Sequence, residues 1–394
     1  MNALLSFIEK LLVGIFILGF GVLIVIGLIR YNSGDSDESG SWRHVKKQNT
    51  IEAYLDFLRD CQSCPHEEEA GAALDELQRP LGLVVRLDRG HLGVRASIGL
   101  PVFSPDGRTV LAFGGEGPDF WDVNTGARLP YLENTFNNIR RGSLIEALAY
   151  AADGKRIAAG LSGAENGRLM VWDRQTGELV AEHLIDGYDA HAVAFAPQGS
   201  SLLGWLAHGP LGIWEPDTGK FLRATHEGAS TLAFIRGEDG RSLLLSAAGR
   251  DLWYWDPGSM ELHRQAVINS DRPLLGLSQD GRLIAYSEGP VIELWSTRTG
   301  AIVATLSGHD GDVMSFCREP KKGWIAIGTT AGTVYLWDTA VADPLARISA
   351  HEGPIQQLAC SARGRMVSIG WDSAKVWDLE KLRKAQAGKP KAEQ

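Results

Sequence analysis

The sequence predicts an all-β fold in which one small antiparallel sheet is repeated along the chain. Seven tryptophans recur at intervals of 51, 42, 41, 40, 42 and 40 residues: Trp121, Trp172, Trp214, Trp255, Trp295, Trp337 and Trp377. Five of the seven are followed by Asp, one by Glu and one by Ser. A period of about 40 residues that ends in tryptophan is typical of stacked supersecondary units, each completed by its neighbours.

The order of strands and turns is the same within each unit. A short apolar strand ends in a turn such as FSPDG (103–107) or LSQDG (277–281), where glycine supplies the positive φ of a tight reversal. A second strand follows, and a third ends on the tryptophan. A Thr-Gly turn begins four residues after that tryptophan, as at Thr125 and Thr299. A fourth, more polar strand completes a four-stranded unit.

These motifs resemble the WD-repeat family, and the resemblance covers about residues 82–378. It implies a seven-bladed β-propeller of four-stranded antiparallel blades. In that family the two ends of the chain share the last blade, so Leu83–Arg89 is expected to form its outer strand. Another propeller type also has Thr-Gly turns, but its diagnostic tryptophan follows the turn. Here the tryptophan precedes the turn, which favours the WD-repeat type.

The resemblance also implies a buried hydrogen-bond set that links a histidine, an aspartate, a serine or threonine and the tryptophan. Only the last unit keeps most of it, with His351, Asp372 and Trp377. The unit that ends at Trp337 has His309, but Ala331 stands at the expected aspartate position. We therefore interpret His309, His351 and Asp372 as structural, and we expect apolar packing to hold most of the blades together.

The N-terminus predicts a transmembrane helix within residues 1–30. Leu11–Ile29 are 19 consecutive uncharged residues, which as a helix span about 28 Å, close to the hydrocarbon core of a bilayer at about 30 Å. A cleaved signal peptide is disfavoured because the run ends in a poor cleavage site. Lysine and arginine are more frequent after the helix than before it, so a cytoplasmic propeller is expected.

The other segments have distinct compositions. Residues 31–48 begin with a stretch rich in Ser, Gly and Asp and predict a flexible linker. Residues 49–79 predict a helical hairpin, with Thr50 as the cap of its first helix, and resemble a single tetratricopeptide helix pair. The propeller is assigned to residues 82–380, and 381–394 predict a basic disordered tail.

The four cysteines do not predict a disulfide scaffold in a chain of 394 residues. Cys61 and Cys64 form one CxxC, and His66 adds a third candidate ligand, which does not complete a tetrahedral zinc site. We favour a helix connector here and leave a metal or redox role open. Cys317 and Cys360 fall one position apart in the repeat, so we interpret them as packing residues or free thiols.

No nucleotide-binding, hydrolase or metalloprotease motif accompanies the repeats. The net charge of −9 argues against nucleic acid as a partner. We therefore expect no enzymatic activity, no cofactor and no metal, and predict a membrane-anchored scaffold that binds other proteins. The alternatives are a structural subunit of a membrane complex and a propeller that binds a small ligand in its central channel.

Candidate partner-binding residues are large aromatic and charged side chains in the connectors, because such side chains dominate interface energetics. Two lie in the longest connector, residues 132–143, which accounts for the interval of 51 residues. The candidates are Arg140, Arg141, Tyr188, Asp310 and Trp371.

Overall fold

The computed structural model describes residues 38–87 and 101–387 apart from short gaps. The gaps are 62–63, 115–116, 130–143, 163–165, 187–189, 197–201, 206–209 and 237–239, with residues 216, 219, 228, 342 and 372. The chain divides into two compact units, Met1–Leu74 and Asp75–Gln394.

The first unit is helical in its described part. It contains α1 (Glu38–Gln48), α2 (Ile51–Asp60) and most of α3 (Glu67–Gln78). Thr50 caps α2 as predicted, because its hydroxyl accepts a hydrogen bond from the Ala53 amide at 3.2 Å. Trp42 of α1 is buried, with its ring stacked on His66 at 5.0 Å.

Two of the predictions for this region need correction. The linker prediction for 31–48 is wrong from residue 38, because burial of Trp42 and Val45 gives α1 an apolar side that its polar composition conceals. Two helices, α2 and α3, lie within the predicted 49–79, but α1 precedes them, and the tetratricopeptide resemblance is not supported. No helix among the described residues is long and apolar enough to cross a membrane; the predicted span 11–29 lies outside them.

The second unit is a ring of antiparallel sheets, which we number in chain order. Sheet 1 contains β2 (Val102–Phe103), β3 (Thr109–Gly114) and β4 (Gly117–Asp122). Sheet 2 contains β5 (Leu144–Tyr150), β6 (Arg156–Ser162), β7 (Asn166–Asp173) and β8 (Leu179–Asp186). Sheet 3 contains β9 (Ala192–Phe195), β10 (Leu202–Trp205), β11 (Pro210–Glu215) and β12 (Lys220–Glu227).

The remaining sheets follow the same order. Sheet 4 contains β13 (Thr231–Arg236), β14 (Ser242–Ala248), β15 (Asp251–Trp255) and β16 (Leu262–Val267). Sheet 5 contains β17 (Leu274–Leu277), β18 (Leu283–Glu288), β19 (Val291–Ser296) and β20 (Ile302–Leu306). Sheet 6 contains β21 (Val313–Arg318), β22 (Ile325–Thr329), β23 (Thr333–Trp337) and β24 (Ala346–Ser349). Sheet 7 contains β25 (Gln357–Cys360), β26 (Arg365–Ile369), β27 (Ala374–Asp378) and β1 (Leu83–Leu87).

Each repeated tryptophan lies in the third strand of its sheet, as predicted. The blade count differs: the described residues form six four-stranded blades and not seven. Among the described residues sheet 1 has three strands, and an isolated bridge between Trp121 and Arg128 follows its third strand.

The ring closes as the family resemblance implied. Strand β1 pairs antiparallel with β27, with Leu83 opposite Trp377 and Leu87 opposite Ala374. The Asp378 amide also donates to the Gly82 carbonyl at 2.8 Å. The first strand of the propeller therefore forms the outer strand of its last sheet.

Apolar contacts between neighbouring sheets form the core. Seven buried clusters join sheets 1 and 2, 2 and 3, 3 and 4, 4 and 5, 5 and 6, 6 and 7, and 7 and 1. At the last of these, Leu87 and Val376 pack with Phe103 and Val110. Each sheet buries its two faces only because both neighbours are present.

The cysteines are paired, so the interpretation of Cys317 and Cys360 as packing residues or free thiols is wrong. Cys317 on β21 and Cys360 on β25 form a disulfide between sheets 6 and 7, with Cα atoms 5.5 Å apart. The first strands of adjacent sheets face one another, so alternation within a single strand does not keep the two sulfurs apart. Cys61 and Cys64 form a second disulfide across the connection from α2 to α3.

The C-terminal tail prediction is wrong for residues 381–387. The 3-10 helix Arg79–Leu81 precedes β1, and α4 (Leu379–Ala387) follows β27. Leu379 and Leu382 of α4 are buried in the cluster between sheets 6 and 7, which fixes this charged helix on the ring.

A buried lysine connects Gln78, which precedes the first propeller strand, to sheets 6 and 7. The Lys375 ammonium donates to Gln78 Oε1 at 2.9 Å and to the Ala350 carbonyl at 2.8 Å. The Gln78 side chain donates in turn to the Ser349 carbonyl at 2.9 Å. Lys375 and Gln78 are fully buried, so these bonds satisfy polar groups that water does not reach.

Two glycine substitutions test how tightly sheets 6 and 7 meet. Gly332 and Gly364 both have positive φ, +78° and +72°. A Cβ added at Gly332 would lie 2.2 Å from the His351 carbonyl oxygen, whereas a Cβ added at Gly364 would have no described atom within 4 Å. Left-handed backbone costs an L-residue about 1–2 kcal/mol. We expect Gly364→Ala to reduce the free energy of unfolding in urea by that amount, and Gly332→Ala to reduce it by more because of the added clash. If both substitutions reduce the free energy of unfolding equally, the contact between Gly332 and the His351 carbonyl is loose enough to accept a methyl group.

Candidate functional site

The antiparallel strands sort the loops of the ring into two ends. Turns between the second and third strands of a sheet, and connections from one sheet to the next, lie at one end, which we call the upper end. The other turns lie at the lower end. Asp310 lies in the connection from β20 to β21, and Trp371 lies in the turn from β26 to β27. These two predicted residues therefore lie at the upper end, on adjacent sheets.

Asp310 is held by several groups of sheet 6. Its carboxylate accepts hydrogen bonds from Thr329 at 3.0 Å, Thr333 at 2.6 Å and Arg347 at 2.8 Å. Its amide donates to the Tyr335 hydroxyl at 3.1 Å. Burial raises the pKa of Asp310, but these hydrogen bonds and the Arg347 charge outweigh it, so the pKa lies below its usual value. Asp310 is therefore charged at neutral pH and fixes the connection.

Further hydrogen bonds continue from this connection to the neighbouring turns. The Asp312 amide donates to Thr330 Oγ1 at 3.0 Å, and the Thr330 amide donates to the Asp312 carbonyl at 2.9 Å. The His351 amide donates to the Gly332 carbonyl at 3.0 Å. The loops at the upper end of sheets 6 and 7 are therefore bonded to one another.

Trp371 is the exposed residue at this site. Its side chain is 65% exposed, and it is the one aromatic residue among the large apolar residues described as exposed. It lies beside Gly353, where an added Cβ would be 3.6 Å from its ring. The turn that carries Trp371 is closed by a hydrogen bond from the Gly370 amide to the Ser373 carbonyl at 3.0 Å, so its backbone is already ordered before binding. A large exposed aromatic side chain on such a turn is favoured as an interface residue.

The polar set of the family is present in sheet 7 in a modified form. Ser368 Oγ lies 2.7 Å from His351 Nε2 and accepts a hydrogen bond from Trp377 Nε1 at 2.8 Å. Ser373 lies 3.4 Å from the other ring nitrogen of His351. Asp372 lies outside the described residues. Ser368 was not among the predicted residues, although its spacing recurs: Ser246, nine residues before Trp255, accepts a hydrogen bond from that tryptophan in sheet 4.

The described residues of sheet 6 do not form this polar set. His309 Nδ1 lies 2.6 Å from the Pro290 carbonyl, and its ring is edge-on to Trp337 at 5.7 Å. Burial lowers the pKa of His309 despite opposing contributions from Pro290 and Asp310. Nε2 of His309 and Nε1 of Trp337 have no hydrogen-bond partner among the described residues. His309 is therefore neutral at pH 7 and donates from Nδ1, which binds sheet 6 to sheet 5.

The other three predicted partner-binding residues cannot be placed. Arg140, Arg141 and Tyr188 lie outside the described residues, and their role stays a prediction. Within the described part of the chain, no group of three or more His, Cys, Asp or Glu residues is arranged to hold a metal ion.

Comparison with known proteins supports the repeat type. The family described as WD domain, G-beta repeat, matches residues 300–338, which run from the end of sheet 5 to the tryptophan of sheet 6. The WD repeat-containing protein WDS homolog of Arabidopsis thaliana is 25% identical over 229 residues, which are 56% of this chain and 42% of that protein. The U3 small nucleolar RNA-associated protein 4 homolog of Homo sapiens is 22% identical over 221 residues, 52% of this chain and 31% of that protein. The chain thus spans less than half the length of these relatives.

Solved structures support the fold. The β-propeller domain of Myceliophteria thermophila Cps50 (Swd1) aligns with a TM-score of 0.58 at 13% identity, covering 75% of this chain and 98% of that one. The WD40 repeats of RRP9 align with a TM-score of 0.58 at 16% identity, with the same coverage. The chain therefore contains a WD40-type repeat within a β-propeller of four-stranded antiparallel blades.

Paired serine substitutions test the polar set. Ser368→Ala removes the group shared by His351 and Trp377, whereas Ser246→Ala removes a hydrogen bond from Trp255 alone. Each buried polar group left unsatisfied costs about 1–3 kcal/mol. We expect Ser368→Ala to reduce the free energy of unfolding in urea more than Ser246→Ala does. If both substitutions reduce the free energy of unfolding equally, the contact between His351 and Ser368 does not contribute to stability.

Proposed function

We propose that this WD40-repeat propeller is a protein-interaction scaffold without catalysis of its own, and that the upper end of sheets 6 and 7 binds its partner. The observation that carries the proposal is Trp371, 65% exposed in a turn that is closed by a hydrogen bond between Gly370 and Ser373. A propeller fold alone does not specify a ligand, so the assignment depends on this site and not on the fold.

The polar groups in the upper-end loops of sheets 6 and 7 suit binding better than chemistry. The Asp310 carboxylate is occupied by two threonines and Arg347, and the His351 ring is buried against Ser368. Both groups hold the loops in place beneath the surface. The exposed tryptophan is then the group available to insert into an apolar pocket of a partner protein.

A partner that contains RNA is less well supported. One relative is named for association with the U3 small nucleolar RNA. The net charge of −9 on this chain opposes binding to a phosphate backbone. We therefore propose a protein partner.

We further propose, from the sequence, that residues 11–29 hold the protein in a membrane. The lysine and arginine count favours the cytoplasmic side for the propeller. The four cysteines, however, form two disulfides. Disulfides persist mainly in oxidising compartments. We give them the greater weight and propose that the propeller faces an oxidising compartment.

Substitution of Trp371 tests the binding surface. Loss of a hot-spot aromatic costs about 2 kcal/mol or more, which is about thirtyfold in Kd. Proximity labelling with the tagged full-length protein in its native cells should give a set of labelled proteins that Trp371→Ala loses. The control is Val341→Ala, because Val341 is 45% exposed at the lower end, in the turn after β23. Identical labelling by both variants would place the partner surface elsewhere.

Membrane attachment and orientation are tested together. The full-length protein should stay in the membrane pellet after an alkaline wash, and deletion of residues 1–30 should release it. A C-terminal tag should resist protease added on the cytoplasmic side of sealed membranes. Maleimide labelling under denaturing conditions should detect thiols only after reduction. If the tag is digested, and if maleimide labels thiols before reduction, the propeller lies in the cytoplasm.

A further inference from the structure

The two disulfides lie in different surroundings. Cys317 and Cys360 are 5% and 2% exposed and belong to the apolar cluster between sheets 6 and 7. Cys61 and Cys64 lie between α2 and α3, and Cys64 is half-buried whereas Cys61 is buried. Thiol–disulfide exchange requires that a thiolate reach one sulfur of the disulfide. The Cys61–Cys64 disulfide is therefore the more accessible of the two to a thiol of another molecule.

A groove of about 270 Å³ is lined by both of these cysteines. The rest of its lining comes from α1, α2 and His66, and includes the apolar side chains of Val45, Ala53 and Phe57. The volume lies just below the usual range for small-molecule sites, about 300–1,000 Å³, so the groove accommodates a few side chains of a peptide. We call it the CxxC groove.

The walls of the CxxC groove are held by a row of rings. The His66 ring stacks on Trp42 at 5.0 Å, and the Phe57 ring lies 5.1 Å from the other side of this contact, at Trp42. Trp42 itself is buried. A segment of a partner protein that enters the groove therefore meets side chains that are already ordered, which lowers the entropy lost on binding.

Backbone hydrogen bonds hold the two cysteines at the ends of their helices. The Cys61 amide donates to the Leu58 carbonyl at 3.2 Å, where α2 ends, and the Glu67 amide donates to the Cys64 carbonyl at 3.2 Å, where α3 begins. The Cα atoms of the two cysteines are 5.4 Å apart. After reduction the helices would keep the two thiols close together, so that either thiol can re-form the disulfide rapidly.

We propose that the Cys61–Cys64 disulfide is redox-active and accepts two electrons from a dithiol of a partner protein. An accessible Cys-x-x-Cys pair is typical of sites that carry out thiol–disulfide exchange. The apolar part of the CxxC groove binds the residues that flank the partner's cysteine. This activity belongs to the helical unit, so it goes beyond the proposed scaffold function, and the propeller keeps that role without catalysis.

The exchange proceeds through a mixed disulfide. A thiolate of the partner attacks Cys64 Sγ, the bond from Cys64 to Cys61 breaks, and Cys61 leaves as a thiolate that takes up a proton. The second partner thiol loses its proton and attacks the partner sulfur of the mixed disulfide, and Cys64 leaves and takes up a proton. The partner loses two electrons and two protons, and the cysteine pair gains them. The reverse steps with a small-molecule disulfide restore the Cys61–Cys64 bond.

A purely structural role accounts less well for this disulfide. The stabilisation that a disulfide gives grows with the length of the loop that it closes. Cys61 and Cys64 are separated by 3 positions in the sequence, whereas Cys317 and Cys360 are separated by 43. The second pair therefore restricts the unfolded chain far more than the first pair does.

The first test uses the full-length protein in a non-ionic detergent and a reduced peptide that contains two cysteines flanked by valines. After mixing, free thiols are blocked with maleimide and located by peptide mapping. We expect thiols at Cys61 and Cys64 of the folded protein and an equal amount of peptide disulfide. Cys317 and Cys360 should stay joined until the protein is denatured. The mapping needs no variant, so a folding defect cannot produce this result.

Paired substitutions assign the activity. Cys61→Ser combined with Cys64→Ser should abolish oxidation of the peptide without changing the circular dichroism spectrum. The matched control is Cys317→Ser combined with Cys360→Ser, which should oxidise the peptide at the rate of the unsubstituted protein. If that control does not fold, the mapping of the unsubstituted protein decides between the two pairs.

Single substitutions identify the sulfur that is attacked. Cys61→Ser and Cys64→Ser each leave one thiol in the helical unit, and each is mixed with a single-cysteine peptide activated as a mixed disulfide with thionitrobenzoate. We expect the Cys64 thiol to release thionitrobenzoate about tenfold faster than the Cys61 thiol, because a buried thiol is reached less easily. Equal rates would contradict the assignment of Cys64.

Substitution of Phe57 tests the CxxC groove separately from the chemistry. Phe57→Ala should lower the rate constant with the valine-containing peptide by about fivefold, because less apolar surface is buried when the peptide binds. Its reaction with dithiothreitol, which has no side chains to bind, should be unchanged. The control is Glu52→Ala, because Glu52 is exposed on α2 and is not part of the groove lining.

Three results would overturn the proposal. One is a Cys61–Cys64 disulfide that the peptide reduces only after the protein is denatured. Another is reduction of both disulfides at the same rate in the folded protein, which would indicate no special reactivity. The third is unchanged oxidation of the peptide by the variant that lacks Cys61 and Cys64. None of these results bears on Trp371, so the proposed scaffold function is judged separately.

Discussion

Pairing of β1 with β27 is the constraint on which the rest of the propeller depends. Each sheet has two apolar faces, and each face is buried only by the neighbouring sheet. Leu87 of β1 belongs to the cluster between sheets 7 and 1, and Leu83 belongs to the cluster between sheets 6 and 7. Loss of this one strand would therefore open two interfaces and leave β27 as a free edge, which invites aggregation. The stability of every sheet is thus linked to a contact between the two ends of the propeller chain.

Polar groups are concentrated where the ring closes. Sheet 7 contains the His351, Ser368 and Trp377 set, and Lys375 is buried beside it with Gln78. Apolar packing is tolerant of small shifts, whereas a buried ammonium without its acceptors is costly. A shift of β27 in its sheet would separate Lys375 from Gln78 and the Ala350 carbonyl. We interpret this network as fixing the position of the closing sheet, while the apolar clusters supply most of the attraction.

The tryptophan period and the turn motifs predicted the repeat and the third-strand position of Trp377, because these features depend on local sequence. The closing strand was implied by the family resemblance alone, and it is observed as Leu83–Leu87. Pairing of Cys317 with Cys360 depends on which strands of different sheets face one another, which a single repeat does not encode. Helix α4 looked like a tail because its charges outnumber its two buried leucines, Leu379 and Leu382. At the site, Trp371 is exposed, and its role in partner binding stays a prediction. The three-stranded form of sheet 1 and the hydrogen bonds of Asp310 required the structure.

The closed ring fixes the surface that carries Trp371. Asp310 is bonded to two threonines and Arg347 of sheet 6, and Trp371 is exposed in the turn from β26 to β27 of sheet 7. The apolar cluster that joins sheets 6 and 7 contains Leu83 of the closing strand, so ring closure also holds together the two sheets that carry these loops. Pairing of β1 with β27 therefore supports both the stability of the propeller and the position of its proposed binding surface.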